Sequence, residues 1–378
     1  MQFAKHWAAA LDDYAIDLAW SPDGSWLAAA SAAGGIMIYD ATNGTVRHQL
    51  AGHEDGANCL AWRPNVAGVA DPGAGARPGS ATPAAILATG GQDGNVRFWD
   101  GTTGAQTAEI KLGNAWVEHL AWQAVRRTED GGPKTETLLF AAAGKKLVAL
   151  RADGTVAHTF PDAPKTISAL AASPVAGIGE PGPGSASPAT SSPAVAAACF
   201  GHVVIWDATT FTAQKEFPYG NAIYALTWSP DGRWLVAGCH DNAVHLWAPA
   251  EENMELHMSG YETRLKELSF SPDSKWLATG GGRDSCVWDC SGAGPEGREP
   301  LMLPHNGRVC ALAFQHRQGL LASGSTNGEF TLWMPTRKNP MVAEVTMPAA
   351  ATKFAWRGDD GLLAVGTEKG NVFVFKTG

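Results

Sequence analysis

The sequence predicts an all-β chain folded as a closed β-propeller of four-stranded blades, eight in number, with a seven-bladed ring as the alternative. Two observations predict it. A short segment ending on an aromatic recurs along the whole chain: Asp17–Trp20, Cys59–Trp62, His119–Trp122, Ala225–Trp228, Glu267–Phe270, Ala311–Phe314 and Lys353–Trp356, with a weaker copy at Ala169–Ala172. The ends lie 42, 60, 50, 56, 42, 44 and 42 residues apart, and a period of ~40–45 residues is that of one propeller blade. Between successive copies the turn signals divide the chain into four short strands.

The elements follow in a fixed order. The aromatic closes an inner strand. A turn comes next, Ser21-Pro22-Asp23-Gly24, Ser229-Pro230-Asp231-Gly232 or Ser271-Pro272-Asp273-Ser274. There Pro and Asp set up the bend and Gly supplies a positive φ. A short apolar strand follows (Trp26–Ser31, Ile86–Gly91, Trp234–Cys239, Leu320–Ser325, Leu362–Thr367), then a second turn such as Gln92-Asp93-Gly94-Asn95. An alternating strand comes third (Val96–Asp100, Val203–Asp207, Ala243–Trp247, Glu329–Trp333), and an outer strand such as Thr45–Leu50 ends the unit. The long intervals come from insertions at 64–84, 124–136 and 174–193, the first and third rich in Pro, Gly, Ser and Ala and the second polar. Such composition buries little apolar surface, so all three are expected to be flexible loops, together on one face of a single domain spanning 1–378. The last unit stops at Gly378 with three strands, and residues from Phe3 to Ala10 offer the missing fourth. Their pairing would remove an exposed edge and lock the ring. The third unit has Leu150 where the others have an aromatic, and the fourth has Ala172 and a very short turn from Cys199 to His202.

The dipeptides Trp99-Asp100, Trp206-Asp207 and Trp288-Asp289, the variant Tyr39-Asp40, the pair Gly52-His53 and the Ser-Pro-Asp-Gly turns carry a resemblance to the WD-repeat (WD40) β-propeller family. The resemblance covers essentially the whole chain. It implies closure by the two chain ends and, in the second unit, a structural tetrad running from Asp93 through His53 and Thr89 to the indole of Trp99. It is nearly silent on function, because one frame hosts many functions.

Composition narrows the function classes. With 28 Lys+Arg against 37 Asp+Glu the formal net charge is −9, so the concentrated basic footprint of a nucleic-acid surface is missing and no nucleic-acid partner is expected. No run of residues reaches the ~18–20 apolar positions of a membrane span, and the first residues lack a secretory pattern. Six Cys at irregular positions make no disulfide framework. The expectation is a cytoplasmic protein with reduced thiols, monomeric on its own. Its Ala, Gly and Pro content points to a GC-rich bacterial source.

Asp93, His53 and a hydroxyl at Thr89 have the residue types of a hydrolytic triad, but no exposed nucleophile elbow accompanies them, and the structural tetrad is the reading adopted. A partial copy stands in the seventh unit: His305, Ser323 and Trp333, with Asn327 in place of Asp. Gly280-Gly281-Gly282-Arg283 precedes no helix, so a nucleotide site is not expected. Cys199 and Cys239 occupy equivalent positions with His202 and His240 nearby, which makes a Cys/His metal or small-ligand site the alternative reading, without ligand spacing to support it. No catalytic residues, metal or cofactor are assigned.

The inner strands place a partner site. Two residues before the terminal position stand Leu18, Leu60, Leu120, Leu170, Leu226, Leu268, Leu312 and Phe354; five before it stand Ala15, Ala57, Val117, Ile167, Ile223, Leu265, Val309 and Ala351. Both sets are apolar, yet a separation of three breaks strand alternation, which a β-bulge between them restores. Side chains four before (Ile16, Asn58, Glu118, Ser168, Tyr224, Lys266, Cys310, Thr352) and six before (Tyr14, Gly56, Trp116, Thr166, Ala222, Arg264, Arg308, Ala350) are more varied and should ring one mouth of the channel. Turn residues Gln92, His240, Arg283 and Glu368 widen the ring. The reading is a non-enzymatic scaffold that docks a protein or peptide through Tyr14, Asn58, Gln92, Trp116, Glu118, Tyr224, His240, Arg264, Lys266, Arg283, Arg308 and Glu368. Trp116, Tyr224, Arg264 and Arg308 are the anchors, since aromatic and Arg side chains dominate interface energetics.

Overall fold

The computed structural model describes residues 3–66, 85–129, 132–174 and 192–377. They form eight four-stranded antiparallel sheets and, among the described residues, no helix. The inner strands are Ala15–Trp20, Ala57–Trp62, Val117–Glu129, Ile167–Ala172, Ile223–Trp228, Leu268–Phe270, Val309–Phe314 and Ala351–Trp356. Each touches the inner strand of the next blade, and the eighth touches the first, so the ring closes at eight. The third and fourth units, weakest in sequence, are complete blades. Leu150 and Ala172 therefore cost the chain an aromatic and not a strand.

Closure uses the N-terminal segment. Phe3–Ala10 pairs antiparallel with Asn371–Thr377, from Phe3 opposite Thr377 to Ala10 opposite Asn371. Trp7 is buried and its Nε1 donates to the carbonyl of Ala41 at 3.0 Å, while Phe3 stacks on Phe375 with ring centroids 4.8 Å apart.

The packing explains the inner-strand pattern. The residues five before the terminal position are all buried, none more than 4% exposed. Burying a Val, Ile or Leu side chain contributes ~1.5–3 kcal/mol each. In seven blades the register shifts immediately after that residue, so Ile16, Asn58, Glu118, Ser168, Tyr224, Cys310 and Thr352 drop out of pairing. In the sixth blade the paired inner strand is cut to Leu268–Phe270 and Lys266 precedes it. Each Ser-Pro-Asp turn is held by its own side chains: Ser21, Ser229 and Ser271 hydroxyls donate to Asp23, Asp231 and Asp273 at 2.5 Å. The position after Asp has φ near +70° at Gly24 and Gly232, and Ser274 adopts +61° in the third turn, its hydroxyl accepting the Asp231 N–H of the neighbouring blade at 2.8 Å.

One expectation is corrected. Within 124–136 the described residues, 124–129 and 132–136, are strand and not flexible loop: Val117–Glu129 pairs with Gly132–Ala143, out to Glu129 opposite Gly132. The stretch looks polar because its contacts are ionic and cation–π. Arg127 Nε lies 3.4 Å from Glu136, and its guanidinium sits 4.7 Å from the Phe211 ring centre of the next blade, while Ala124, Val125 and Leu138 are buried. Of the other two insertions, 67–84 and 175–191 lie outside the described residues.

Candidate functional site: the channel mouth

Antiparallel order brings the start of each inner strand and the turn between its second and third strands to the same face. Main-chain hydrogen bonds tie the two. The carbonyls of Tyr14, Gly56, Ala222, Arg308 and Ala350 accept from the N–H groups of Ala32, Gln92, His240, Thr326 and Glu368. Gln92, His240 and Glu368 thus stand on the same rim as the inner-strand starts.

The structure brings some of the predicted residues into contact. Tyr224 is the centre of one group: the Arg264 guanidinium lies 5.5 Å and the Lys266 ammonium 5.7 Å from its ring centre, and the His240 ring lies 5.8 Å away. The first two are cation–π distances. Around Cys310, burial pushes the thiol up to about 12, with Glu267 and Glu368 adding to the rise and Arg308 opposing it. Tyr14 is raised as well, by burial first and then by Glu368. Trp116, Glu118, Arg283 and Arg308 are exposed. Asn58 Nδ2 donates to the Val117 carbonyl at 3.2 Å, bridging the second blade to the third. Thr352 and Cys310, at the same bulge position, bond the Ala15 and Ala351 carbonyls at 2.6 and 3.1 Å. The bulge thus serves the ring as well as the mouth.

One mouth residue escaped the sequence reading. Phe200, in the short turn of the fourth blade, is 53% exposed. The available signal was an aromatic at a turn position equivalent to Gln92 and His240.

The polar chain of the second blade is a relay. His53 Nδ1 lies 2.9 Å from Asp93, His53 Nε2 lies 2.9 Å from Thr89 Oγ1, and Trp99 Nε1 donates to the same oxygen at 3.0 Å. Burial pushes the His53 imidazole below its ordinary value against the pull of Asp93. Burial works to raise Asp93, but hydrogen bonds from His53 and the Asn95 backbone prevail and hold it at about 2. His53 and Thr89 are buried, so the hydroxyl is closed to a substrate. In the seventh blade His305 and Trp333 share Ser323 Oγ at 2.8 and 2.7 Å. The carboxylate facing His305 there is Glu329, 3.5 Å from Nδ1, while Asn327 instead accepts from Ser325 and the Glu329 N–H.

The Cys/His alternative finds its residues apart. Cys239 is buried with Sγ 3.7 Å from the Ala237 carbonyl, whereas His240 faces Tyr224. Cys199 and His202 are neighbours, Sγ lying 3.8 Å from Nδ1. Among the described residues no three His, Cys, Asp or Glu side chains are grouped to hold a metal.

Comparison with known families agrees with this architecture. The model of the WD domain, G-beta repeat, matches residues 44–100, 211–248 and 254–289, and that of the anaphase-promoting complex subunit 4 WD40 domain matches residues 3–65. The chain belongs to the WD-repeat β-propeller family. Among its relatives are the WD repeat-containing protein srw1 of Schizosaccharomyces pombe, 26% identical over 46% of this chain and 31% of that protein, and the anaphase-promoting complex subunit cdc20 of Dictyostelium discoideum, 25% identical over 41% of this chain and 32% of that one. This WD-repeat propeller thus aligns with about a third of the length of these relatives. The crystal structure of the computationally designed Ika8 protein superposes with a TM-score of 0.73 at 17% identity, covering 99% of this chain and 100% of that one, a likeness of fold alone.

Proposed function

We propose that this WD-repeat propeller is a non-enzymatic scaffold that docks a protein or peptide partner on the channel mouth. One observation carries the reading. Among the described residues the exposed aromatic side chains are Tyr14 at 39%, Trp116 at 51% and Phe200 at 53%, and all three stand on the mouth face. Among the described residues the other exposed large apolar side chains, Val46, Val156, Met302 and Met341, lie singly on four outer strands. Aromatics left in water on one rim suit the centre of an interface, where they would become buried anchors. The relay hydroxyl at Thr89 is committed to two partners, which favours a binding role over catalysis. The names of two of the relatives, an anaphase-promoting complex subunit and a cofactor of APC complex, support a role in protein assembly. We place the protein in the cytoplasm, a monomer until its partner binds, with no nucleic-acid or membrane partner.

The test is affinity capture from native extract with wild type and a Trp116→Ala/Tyr224→Ala/Arg308→Ala variant shown by circular dichroism to be folded. Proteins retained by wild type and lost by the variant place docking at the mouth. Equal retention by both moves docking elsewhere on the ring.

A further inference from the structure

We infer that the mouth carries a specificity patch for a carboxylate-rich segment of the partner, built from Arg264, Lys266, Arg283 and Arg308 around Tyr224; the inference rests on the docking reading above. Four cations reach one sector of the rim from three chain segments. Arg264 and Lys266 precede the sixth inner strand, Arg283 stands at the turn of the same blade, and Arg308 precedes the seventh inner strand. All four are exposed, and among the described residues none forms an ion pair. This occurs in a chain with nine more acidic than basic side chains, where Arg97, Arg127, Arg151, Arg233, Arg298 and Arg357 all have carboxylates within 4.0 Å.

Carboxylates stand in this sector too, but among the described residues none lies within 4.0 Å of the four cations. Asp241 accepts from the Tyr219 hydroxyl at 2.9 Å. Glu267 is half-buried with its carboxylate beside Gly280; burial raises its pKa, and the charges of Arg308 and Lys266 oppose that rise without forming an ion pair. Glu262 lies beside Gly282, and Asp284 belongs to the third strand of the blade. The cations therefore keep their hydrogen-bond donors unpaired, and Tyr224 holds two of them in place. A guanidinium stacked on an aromatic face leaves its in-plane N–H edges free for bidentate contact with a carboxylate.

The occupant follows from how the charge is spread. A single phosphate needs donors converging on one point. Arg264 and Lys266 meet at Tyr224, while Arg283 stands on the turn of the same blade and Arg308 on the next blade, an arrangement over two blades that suits successive Asp or Glu side chains of an extended segment. The exposed aromatics stand on the first, third and fourth blades and the cations on the sixth and seventh, so such a segment would lie across the mouth with its acidic part on the basic sector and its apolar part opposite. Complementary rim charges of this kind set specificity and association rate and weaken with salt.

The test is fluorescence anisotropy with a short labelled peptide of alternating Glu and Ser, its Gln counterpart, and a Gln peptide carrying one phosphoserine. Wild type should bind the Glu peptide about tenfold more tightly than the Gln peptide at low salt, with the difference shrinking as salt rises. Arg264→Gln/Lys266→Gln/Arg283→Gln should remove the preference. Lys215→Gln/Arg337→Gln/Lys338→Gln, an equal loss of charge away from the mouth, should keep it. Equal binding of Glu and Gln peptides overturns the inference, as does equal loss in both variants, or tighter binding of the phosphoserine peptide. If the capture experiment localises a partner to the mouth while the Glu peptide shows no preference, the acidic specificity fails and the docking reading stands. If the Glu peptide binds the patch while capture ignores the mouth variant, the patch stands and the docking reading fails.

Discussion

The indole Nε1 of Trp20 donates to the carbonyl of Ala355 at 2.9 Å and so fastens the first blade to the eighth across the seam of the ring. The same bond recurs from Trp62 to Ala19, Trp122 to Ala61, Trp228 to Ala171 and Trp356 to Ala313, between 3.0 and 3.2 Å. Where the terminal residue is Phe314 the bond is replaced by its N–H donating to Ser269 Oγ at 2.9 Å. The recurrent aromatic is therefore a rivet between blades as well as a core residue. Trp62→Phe keeps most of the ring and removes the donor, leaving a main-chain carbonyl short of a partner. The expected loss is about 1–2 kcal/mol in urea unfolding. An unchanged midpoint would show that the bond adds nothing.

That rivet marks where sequence reading stopped. The eight blades, the closing strand and the bulge were legible, because repeats, missing edges and broken alternation all leave side-chain signatures. Partners of Trp20 and Asn58 were not, because each bonds a main-chain carbonyl of another blade, and a carbonyl has no residue type. The strand pairing within 124–136 was missed since its order comes from Glu136 and from Phe211 on the next blade, not from an apolar run. Glu329 displaced Asn327 from the seventh relay because a side chain two residues on reaches His305, a matter of distance that alignment with the second blade conceals.

Closure by the N-terminal strand predicts what its loss would do. Trp7 is 7% exposed, and Trp7→Ala should cost ~3–5 kcal/mol. Deleting residues 1–10 leaves Asn371–Thr377 as an unpaired edge. That edge should pair with a second copy, seen as dimers or larger species by size-exclusion chromatography with a lowered melting temperature. A monomeric, equally stable deletion would mean that the three remaining strands suffice.

Acid sensitivity should come first from imidazoles. Burial holds His119 at about 4, against a backbone hydrogen bond at Ser168, and pushes His53 down too. Their folded values lie below the unfolded value of 6.5, so below pH 6.5 the unfolded chain binds more protons. Their contribution is complete above pH 6.5 and is lost as pH falls, for His119 through about 4. Asp93, depressed from 3.8 to about 2, adds stability lost only below pH 4. Urea midpoints should therefore decline between pH 6.5 and 4 in wild type, and less steeply in His119→Gln. Parallel slopes would remove His119 from this account.

The fifth blade offers a test by gain. In the second and seventh blades the indoles of Trp99 and Trp333 donate to a hydroxyl ten residues earlier, Thr89 or Ser323. In the sixth, Trp288 reaches the Tyr261 hydroxyl at 2.8 Å. The fifth blade has Ala237 at the hydroxyl position, and the nearby Tyr219 hydroxyl, from the outer strand of the fourth blade, is turned to Asp241. Trp247 is 1% exposed, and its Nε1 has no hydrogen-bond partner. Ala237→Ser adds one oxygen at the place where two other blades carry one, and should raise stability by about 1 kcal/mol in urea unfolding. Ala237→Val adds volume without an acceptor to a fully buried site and should lower stability by ~1–3 kcal/mol. A rise with Ser and a fall with Val isolates the missing acceptor as the weakness of this blade. A fall with both means that the strand beneath Trp247 has no room for another atom, and that the stacking of Phe217 on the indole, 5.2 Å between ring centres, sets its position instead.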